Sequence, residues 1–212
     1  MKVTIDSNLT IEDATDDEIR QIRAGLVVSN PNWVTAHKLG KSVWGIEPQL
    51  FFYKKDNDKI ITPVGYLDAI LAINPNAEIV DTRIESKCDF VFSGTLYPYQ
   101  QAAFDAMKQY TNGTLCAITA AGKTVMACAL IAELKQKTLI LVDTIELANQ
   151  FSARISQFLG LAKKEIGRLG GGKHIVKNIT VATLQTLARI DPAELHKMDF
   201  GLVICDEVLD KK

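Results

Sequence analysis

The run Ala117-Ile-Thr-Ala-Ala-Gly-Lys-Thr124 holds residue types that handle phosphate. It follows an apolar run, Leu115 to Ile118, and opens a helix-like run, Val125 to Leu134. A strand, a loop ending in Gly-Lys-Thr and a helix make the phosphate-binding loop of an NTPase. The reason is electrostatic: backbone N–H groups at the turn and at the helix N-terminus point at phosphate oxygens. In this reading Thr119, Ala120, Ala121 and Gly122 form the cradle. Lys123 neutralises the β- and γ-phosphates, and the Thr124 hydroxyl holds Mg²⁺. The loop departs from the general pattern, with Ala117 in the place of the first glycine. Ala120 stands where glycine or serine is common, and it reaches a positive φ at a cost that glycine avoids. A Lys-Thr pair at an ordinary helix start is the plain alternative.

A second concentration of charge lies downstream. Lys163, Lys164, Arg168, Lys173, His174 and Lys177 surround Gly170-Gly171-Gly172. The glycines let backbone amides approach a phosphate, and the cations fit a sequence-independent, salt-sensitive contact to a nucleic-acid backbone. The alternative is a solvated loop whose glycines merely permit a turn. His37, His174 and His196 are scattered and suggest neither a triad nor a metal site.

Five segments fall in a telling order: Leu96-Tyr-Pro-Tyr-Gln100, the phosphate loop, Leu139 to Gln150, Ile179 to Thr186, and Leu202-Val-Ile-Cys-Asp206-Glu207. Together they resemble the early motifs of superfamily 2 helicases, above all the DNA-repair type found in the TFIIH complex and related phage helicases. The resemblance covers residues 94 to 208 and, more loosely, what precedes them. It implies ATP and Mg²⁺ as cofactors and DNA, double- or single-stranded, as partner. Gln100 matches the adenine-reading glutamine, whose amide offers one donor and one acceptor to the N6/N7 edge. Asp206 and Glu207 match the Walker B pair: Asp206 would bind Mg²⁺ beside Thr124, and Glu207 would activate the attacking water. Thr144, Gln150, Thr183 and Gln185 fall in segments that touch the nucleic-acid backbone, and Gly171 and Lys173 join them from the basic patch. Tyr97 stands where the family usually has a basic residue.

The elements must place these groups. From about residue 91 strand and helix alternate: strand at Leu115 to Ile118, helix 123–135, strand Leu139 to Val142, helix Glu146 to Leu159, strand Ile179 to Ala182, a short helix Gln185 to Arg189, and strand Leu202 to Asp206. Such alternation predicts a parallel sheet with helices on its faces and a ligand site at the carboxyl ends of the strands. The strand ending in Asp206 is expected at or near the centre. Residues 1 to 90 read as a small α+β unit. Thr15 caps a helix with Ile19, Ile22 and Leu26 in register, and Trp33 to Leu39 forms another. Leu50 to Tyr53 and Lys59 to Thr62 flank a hairpin, and Gly65 to Ile73 is a third helix. The segments around Asn30-Pro31, Lys41 to Pro48 and Pro63 to Tyr66 are similar to the accessory domain that precedes the helicase core in the same family, where it is associated with DNA engagement. A folding cap or protein-interaction domain is the alternative.

Composition sets limits. With 47% hydrophobic residues the 212-residue chain can build a core, and a net charge of −1 leaves any nucleic-acid binding to local patches. The 4 cysteines, Cys88, Cys116, Cys128 and Cys205, show no metal-ligand spacing, and Cys116 and Cys205 read as buried thiols. No signal peptide or membrane-length apolar run is visible, so a soluble protein of a bacterial or phage-infected cytosol is expected.

The fold class expected is α/β, a P-loop NTPase with a RecA-like parallel sheet, truncated, preceded by a small α+β domain. The resemblance implies an ATP-dependent helicase whose second RecA-like lobe is on a missing or separate polypeptide, since Val208 is followed only by Leu209-Asp210-Lys211-Lys212. The alternatives are a non-catalytic nucleotide- or nucleic-acid-binding module acting through a partner, and a small P-loop kinase or switch NTPase.

Overall fold

The computed structural model describes residues 1–206 of the chain. It divides into two compact units, Met1–Arg83 and Ile84–Lys212. The first unit holds β1 (Lys2–Ile5), β2 (Leu9–Glu12), α1 (Asp16–Gly25), β3 (Val27–Ser29), α2 (Pro31–Lys38), β4 (Gln49–Phe51), β5 (Lys54–Asp56), β6 (Lys59–Thr62), α3 (Leu67–Ile73) and β7 (Glu78–Asp81). Its main sheet runs β5-β6-β2-β1-β7, antiparallel except for the parallel pair β1/β7. The alternation of β1 and β2 sends Val3, Ile5, Leu9 and Ile11 to one face, where Ile22 of α1 and Ile70 of α3 cover them. The first turn of α1 is locked by a capping box: Thr15 Oγ1 accepts from Glu18 N at 3.3 Å, and Thr15 N donates to Glu18 Oε2 at 2.7 Å. The Thr15 amide, then the Asn74 side chain, hold the Glu18 carboxyl below its usual range.

The expected hairpin forms with a different first strand. Lys54–Asp56 pairs with Lys59–Thr62 around Asn57, which takes φ +52°. Gln49–Phe51 pairs instead with Val27–Ser29. Asn tolerates the left-handed conformation of so tight a turn, so the short strand nearest the turn takes the ladder. β7 was not legible from the sequence; its bond partners lie about 75 residues away on β1.

The second unit holds α4 (Pro98–Met107), α5 (Lys123–Leu134), β8 (Thr138–Val142), α6 (Ile145–Leu159), β9 (Ile166–Gly170), β10 (Lys173–Ile175), β11 (Ile179–Thr183), α7 (Leu184–Leu187), α8 (Pro192–Lys197) and β12 (Leu202–Cys205). Its sheet runs β10-β9-β11-β8-β12, parallel except for the β9/β10 hairpin. All five residues of β8 and of β11 are buried, because both faces of the sheet are covered. On one face Ile140, Val142, Ile179 and Val181 pack with Cys128 and Ile131 of α5 and Phe151 and Ile155 of α6. On the other, Leu139, Leu141 and Ala182 meet Met198, Leu187 and Leu195. The three buried threonines of these strands are satisfied: Thr138 Oγ1 donates to Gln136 O at 2.7 Å, Thr180 Oγ1 to Lys177 O at 2.9 Å, and Thr183 Oγ1 shares a hydrogen bond with Thr186 Oγ1 at 2.9 Å. Residues 84–93 belong here: Ser86 N bonds to Gln136 Oε1 at 2.7 Å, and Cys88 N to Lys135 O at 2.8 Å.

Three expectations fail on the same physical point. Leu115 to Ile118 is not a strand, and Ile118 is 83% exposed. β12 is not central: it pairs with β8 alone and sits at the edge of the sheet among the described residues. Cys116 and Cys205 are exposed rather than buried. A run of apolar residues becomes a strand only where its backbone groups find a ladder. Residues 115–118 find none here, and β12, with a neighbour on one side only, leaves the face carrying Val203 and Cys205 exposed.

The cysteines therefore separate by environment. Burial pushes the Cys128 thiol up to about 12, while Cys205, exposed as a residue, has its thiol raised by partial desolvation. The thiolate is the nucleophile, so a raised pKa and a closed shell both slow alkylation. Iodoacetamide at pH 8 is expected to label Cys116 first and to leave Cys128 unmodified until the protein is denatured, as read by peptide mass spectrometry. Early modification of Cys128 would contradict its packing between α5 and the sheet.

Candidate nucleotide and nucleic-acid sites

The phosphate loop forms without its strand. Residues 118–122 close a turn in which Ala121 N donates to Ile118 O at 3.2 Å. Ala120 takes φ +65° and Gly122 φ +82°. For alanine that conformation costs about 1–2 kcal/mol, so the loop holds a locally strained residue at its tip. Gly122 is the N-cap of α5, and no side chain caps the first turn. Val125 N donates to Gly122 O at 2.9 Å, so the N–H groups of Lys123 and Thr124 are the ones this turn offers to an anion, with the positive end of the helix dipole behind them. Lys123 curls back over the loop and donates its Nζ to Ala117 O at 3.2 Å, with Ile118 O at 3.5 Å. A phosphate oxygen is a stronger acceptor than a neutral carbonyl and competes for that ammonium.

Gln100 is drawn to this loop, but inward. It is 4% exposed. Its Oε1 accepts from Tyr97 N at 2.9 Å, and its Nε2 donates to Ala121 O at 2.9 Å. The absence of a side chain at Gly122 makes room for it, since a Cβ there would lie 2.3 Å from Gln100 Nε2. Gln100 thus ties the start of α4 to the phosphate loop.

A second cavity, about 300 Å³, opens where β8 and β11 end and the β9/β10 turn begins. Asp143, Thr144, Glu146, Gly171, Thr183 and Gln185 line it. Of the residues expected to touch nucleic acid, Thr144, Gly171, Thr183 and Gln185 are thus brought together. Gln150 and Lys173 are exposed, on α6 and β10, and do not line it. Thr144 caps α6, its Oγ1 accepting from Leu147 N at 3.2 Å, which leaves its hydroxyl proton to donate. Gly170, Gly171 and Gly172 all take positive φ, at +128°, +62° and +76°. At Gly170 a Cβ would come within 2.9 Å of Thr183 Oγ1, so the glycine is required for close approach to β11.

The basic patch resolves into two behaviours. Lys173 and Lys177 face solvent. Arg168 instead donates through Nη2 to Ile145 O at 3.1 Å and to Asn149 Oδ1 at 3.2 Å. Burial holds its guanidinium below the ordinary value. It straps the first turn of α6 to β9, a role that a count of basic residues could not reveal. A larger open groove, about 530 Å³ and lined by Phe90, Phe92, Phe104, Gln101 and Glu133 among others, contains none of the expected site residues.

Asp206 follows β12 directly, and its N–H donates to Leu141 O at 2.9 Å. Glu207 lies outside the described residues. Among the described residues no group of three or more His, Cys, Asp or Glu is placed to hold a metal ion. Magnesium takes one or two protein oxygens and completes its shell with water and substrate phosphates. Thr124 and Asp206 supply oxygen donors of the right hardness. No helix among the described residues is long and apolar enough to cross a membrane.

A parallel-rich sheet with a Gly-Lys-Thr loop at the start of a flanking helix defines a RecA-like lobe, and a smaller mixed sheet precedes it. The family described as "Type III restriction enzyme, res subunit" matches residues 93–208, and the chain belongs to that superfamily 2 helicase family. It is 36% identical over 113 residues to the DNA 3'-5' translocase XPB2 of Sulfurisphaera tokodaii, covering 53% of this chain and 25% of that protein. It is 31% identical over 119 residues to the DNA 3'-5' helicase XPB of Mycobacterium tuberculosis, covering 53% of this chain and 22% of that protein. The chain thus spans about a quarter or less of the length of these relatives. The fold is that of the UvsW helicase of bacteriophage T4, with a TM-score of 0.62 at 18% identity over 98% of this chain and 83% of the compared chain.

Proposed function

We propose that this chain supplies the nucleotide-binding lobe and an accessory unit of an ATP-driven helicase or translocase acting on DNA. The observation that carries the reading is the loop around Gly122: an uncapped helix N-terminus with a lysine ammonium folded over it, in a chain of this family. Lys123 and the first turn of α5 bind the β- and γ-phosphates. Gln100 keeps the loop in shape through Ala121. Thr124 and Asp206 would hold Mg²⁺, which when bound neutralises charge on the β- and γ-oxygens. Glu207 is assigned to the attacking water. A second RecA-like lobe, in the same protein or on a separate polypeptide, would close over the nucleotide.

Thr144, Gly171, Thr183 and Gln185 offer donors to a nucleic-acid backbone, with Lys173 and Gln150 on the flanks of the cavity. The first unit adds exposed Trp44, Phe51 and Phe52, flanked in sequence by exposed Lys38 and Lys41 on one side and Lys54 and Lys55 on the other. Stacking faces among cations suit a nucleic-acid strand. Fluorescence anisotropy with labelled oligonucleotides, titrated at several salt concentrations, tests the DNA part. Binding is expected to be insensitive to base sequence. Lys173→Gln should make the slope of log K against log salt shallower by about 0.7–0.9, the contribution of one phosphate contact. An unchanged slope removes Lys173 from the interface. Calorimetry with Mg·ATP tests the nucleotide part: saturable binding is expected, and a flat titration defeats it.

A further inference from the structure

The walls of the cavity at the ends of β8 and β11 come from separate stretches of the chain. Thr144 and Ile145 open α6, Gly171 belongs to the β9/β10 turn, and Thr183 and Gln185 stand where β11 ends. β9 and β8 are not neighbours in the sheet, because β11 lies between them. No ladder bond therefore sets the distance from the glycine turn to the start of α6. Donors on opposite walls serve one ligand only if that distance is held to about 0.5 Å.

The turn has little of its own to hold it there. Gly170, Gly171 and Gly172 carry no side chains, and a Cβ at Gly171 would meet Ile145 first, at 3.5 Å. Arg168 supplies the tie. Its backbone is fixed in register between Ile175 of β10 and Val181 of β11. Its Nη2 crosses to α6 and donates to Ile145 O at 3.1 Å and to Asn149 Oδ1 at 3.2 Å. Among the described residues these are the hydrogen bonds that join β9 to α6. Ile145 is thus held from two directions, its carbonyl by Arg168 and its side chain beside the glycine turn.

We infer that Arg168 is a positioning residue for the nucleic-acid backbone: it sets the gap between the Thr144 hydroxyl and the Gly171 turn into which a backbone phosphate fits, and it does not touch the phosphate itself. The two acceptors lie four residues apart on one face of α6, and a planar guanidinium meets them in a fixed geometry that a flexible ammonium does not reproduce. This inference rests on the reading of the cavity as a nucleic-acid site, and its test separates the two.

Fluorescence anisotropy with a labelled oligonucleotide, on the full chain at several salt concentrations, would compare Arg168→Met, Arg168→Lys and Asn149→Ala with wild type. Methionine keeps an apolar stem and removes the fork. Arg168→Met should weaken binding about 3- to 30-fold at every salt concentration, within the range for residues coupled through one network. The slope of log K against log salt should not change, because no phosphate contact is lost. Arg168→Lys keeps the charge and should weaken binding nearly as much. Asn149→Ala removes one acceptor and should give a smaller loss, again without a change of slope. Adding it to Arg168→Met should cost nothing further, since both act through the same tie. A slope shallower by about 0.7–0.9 in Arg168→Met would make Arg168 a direct phosphate contact and overturn the inference. Wild-type affinity in Arg168→Met, or its restoration by Arg168→Lys, overturns it as well. A circular-dichroism melt checks each variant; if Arg168→Met is unfolded at the titration temperature, Asn149→Ala carries the test, and wild-type affinity there overturns the inference. If the wild-type chain binds no oligonucleotide, the nucleic-acid reading of the cavity falls and the inference falls with it.

Discussion

Replacing Lys123 with alanine is expected to weaken Mg·nucleotide binding about 10- to 100-fold, with the fold intact. Lys123 is the one cationic residue in the run from Ala117 to Thr124, and its ammonium already leans over the turn to Ala117 O at 3.2 Å. Hydrogen bonds to charged groups contribute about 1.5–3 kcal/mol, and each 1.4 kcal/mol is a factor of ten in affinity. Alanine is the best helix former, so the first position of α5 keeps its conformation. Lys123→Arg should also bind less well, because a planar fork does not reproduce a compact point charge inside a tight loop. Parallel calorimetric titrations of the three proteins decide this. Equal dissociation constants for wild type and Lys123→Ala would mean that the Gly-Lys-Thr turn is an ordinary helix start.

The second large effect lies in the core. Ile140→Ala should lower the unfolding free energy of the second unit by about 2–5 kcal/mol. Ile140 is fully buried in β8, opposite Val181 and Ile204 on the neighbouring strands, and packs in the cluster of Cys128, Ile131, Phe151 and Ile155. Close packing on both faces leaves little room for collapse, so the cavity term adds to the lost transfer energy. The effect should reach the cavity at the end of β8, because β8 leads directly into Asp143 and Thr144, which line it. Val203→Ala, at a 53% exposed site on the edge strand β12, should cost well under half as much. Urea titrations should be followed by circular dichroism or by amide exchange in β8. Both tryptophans, Trp33 and Trp44, lie in the first unit, so their fluorescence does not report this core. A destabilisation below about 1 kcal/mol would contradict the packing described for β8.

Side chains that meet their partners within a few residues were readable in advance. Thr15 as the N-cap of α1 was such a reading, to which the structure adds the return bond from Glu18 three positions on; Pro98 at the start of α4 and Gly122-Lys123 at the start of α5 are equally local. Gln100 shows where that kind of reading stops. Its place before the phosphate loop was legible, yet its amide is spent on a backbone carbonyl 21 residues away. Arg168 behaves likewise: its charge was evident, but its partners Ile145 and Asn149 lie 23 and 19 residues back in the chain.

The sequence by itself determined the α/β class, most of the run of alternating strands and helices after residue 91, and the start of a helix at the Gly-Lys-Thr turn. These depend on hydrophobic period and on turn residues, which act over a few positions. The tertiary structure alone decided that β12 lies at the edge, that residues 115–118 stay outside the ladder, and that β9 and β10 make a hairpin of what read as a basic loop. It alone exposed Cys116 and Cys205 while burying Cys128. A β-strand exists only with its partner, and the choice of partner is a contest among all the strands of the sheet. No window of sequence contains that contest, so strand order, edges and the burial that follows from them appear only when the chain is folded.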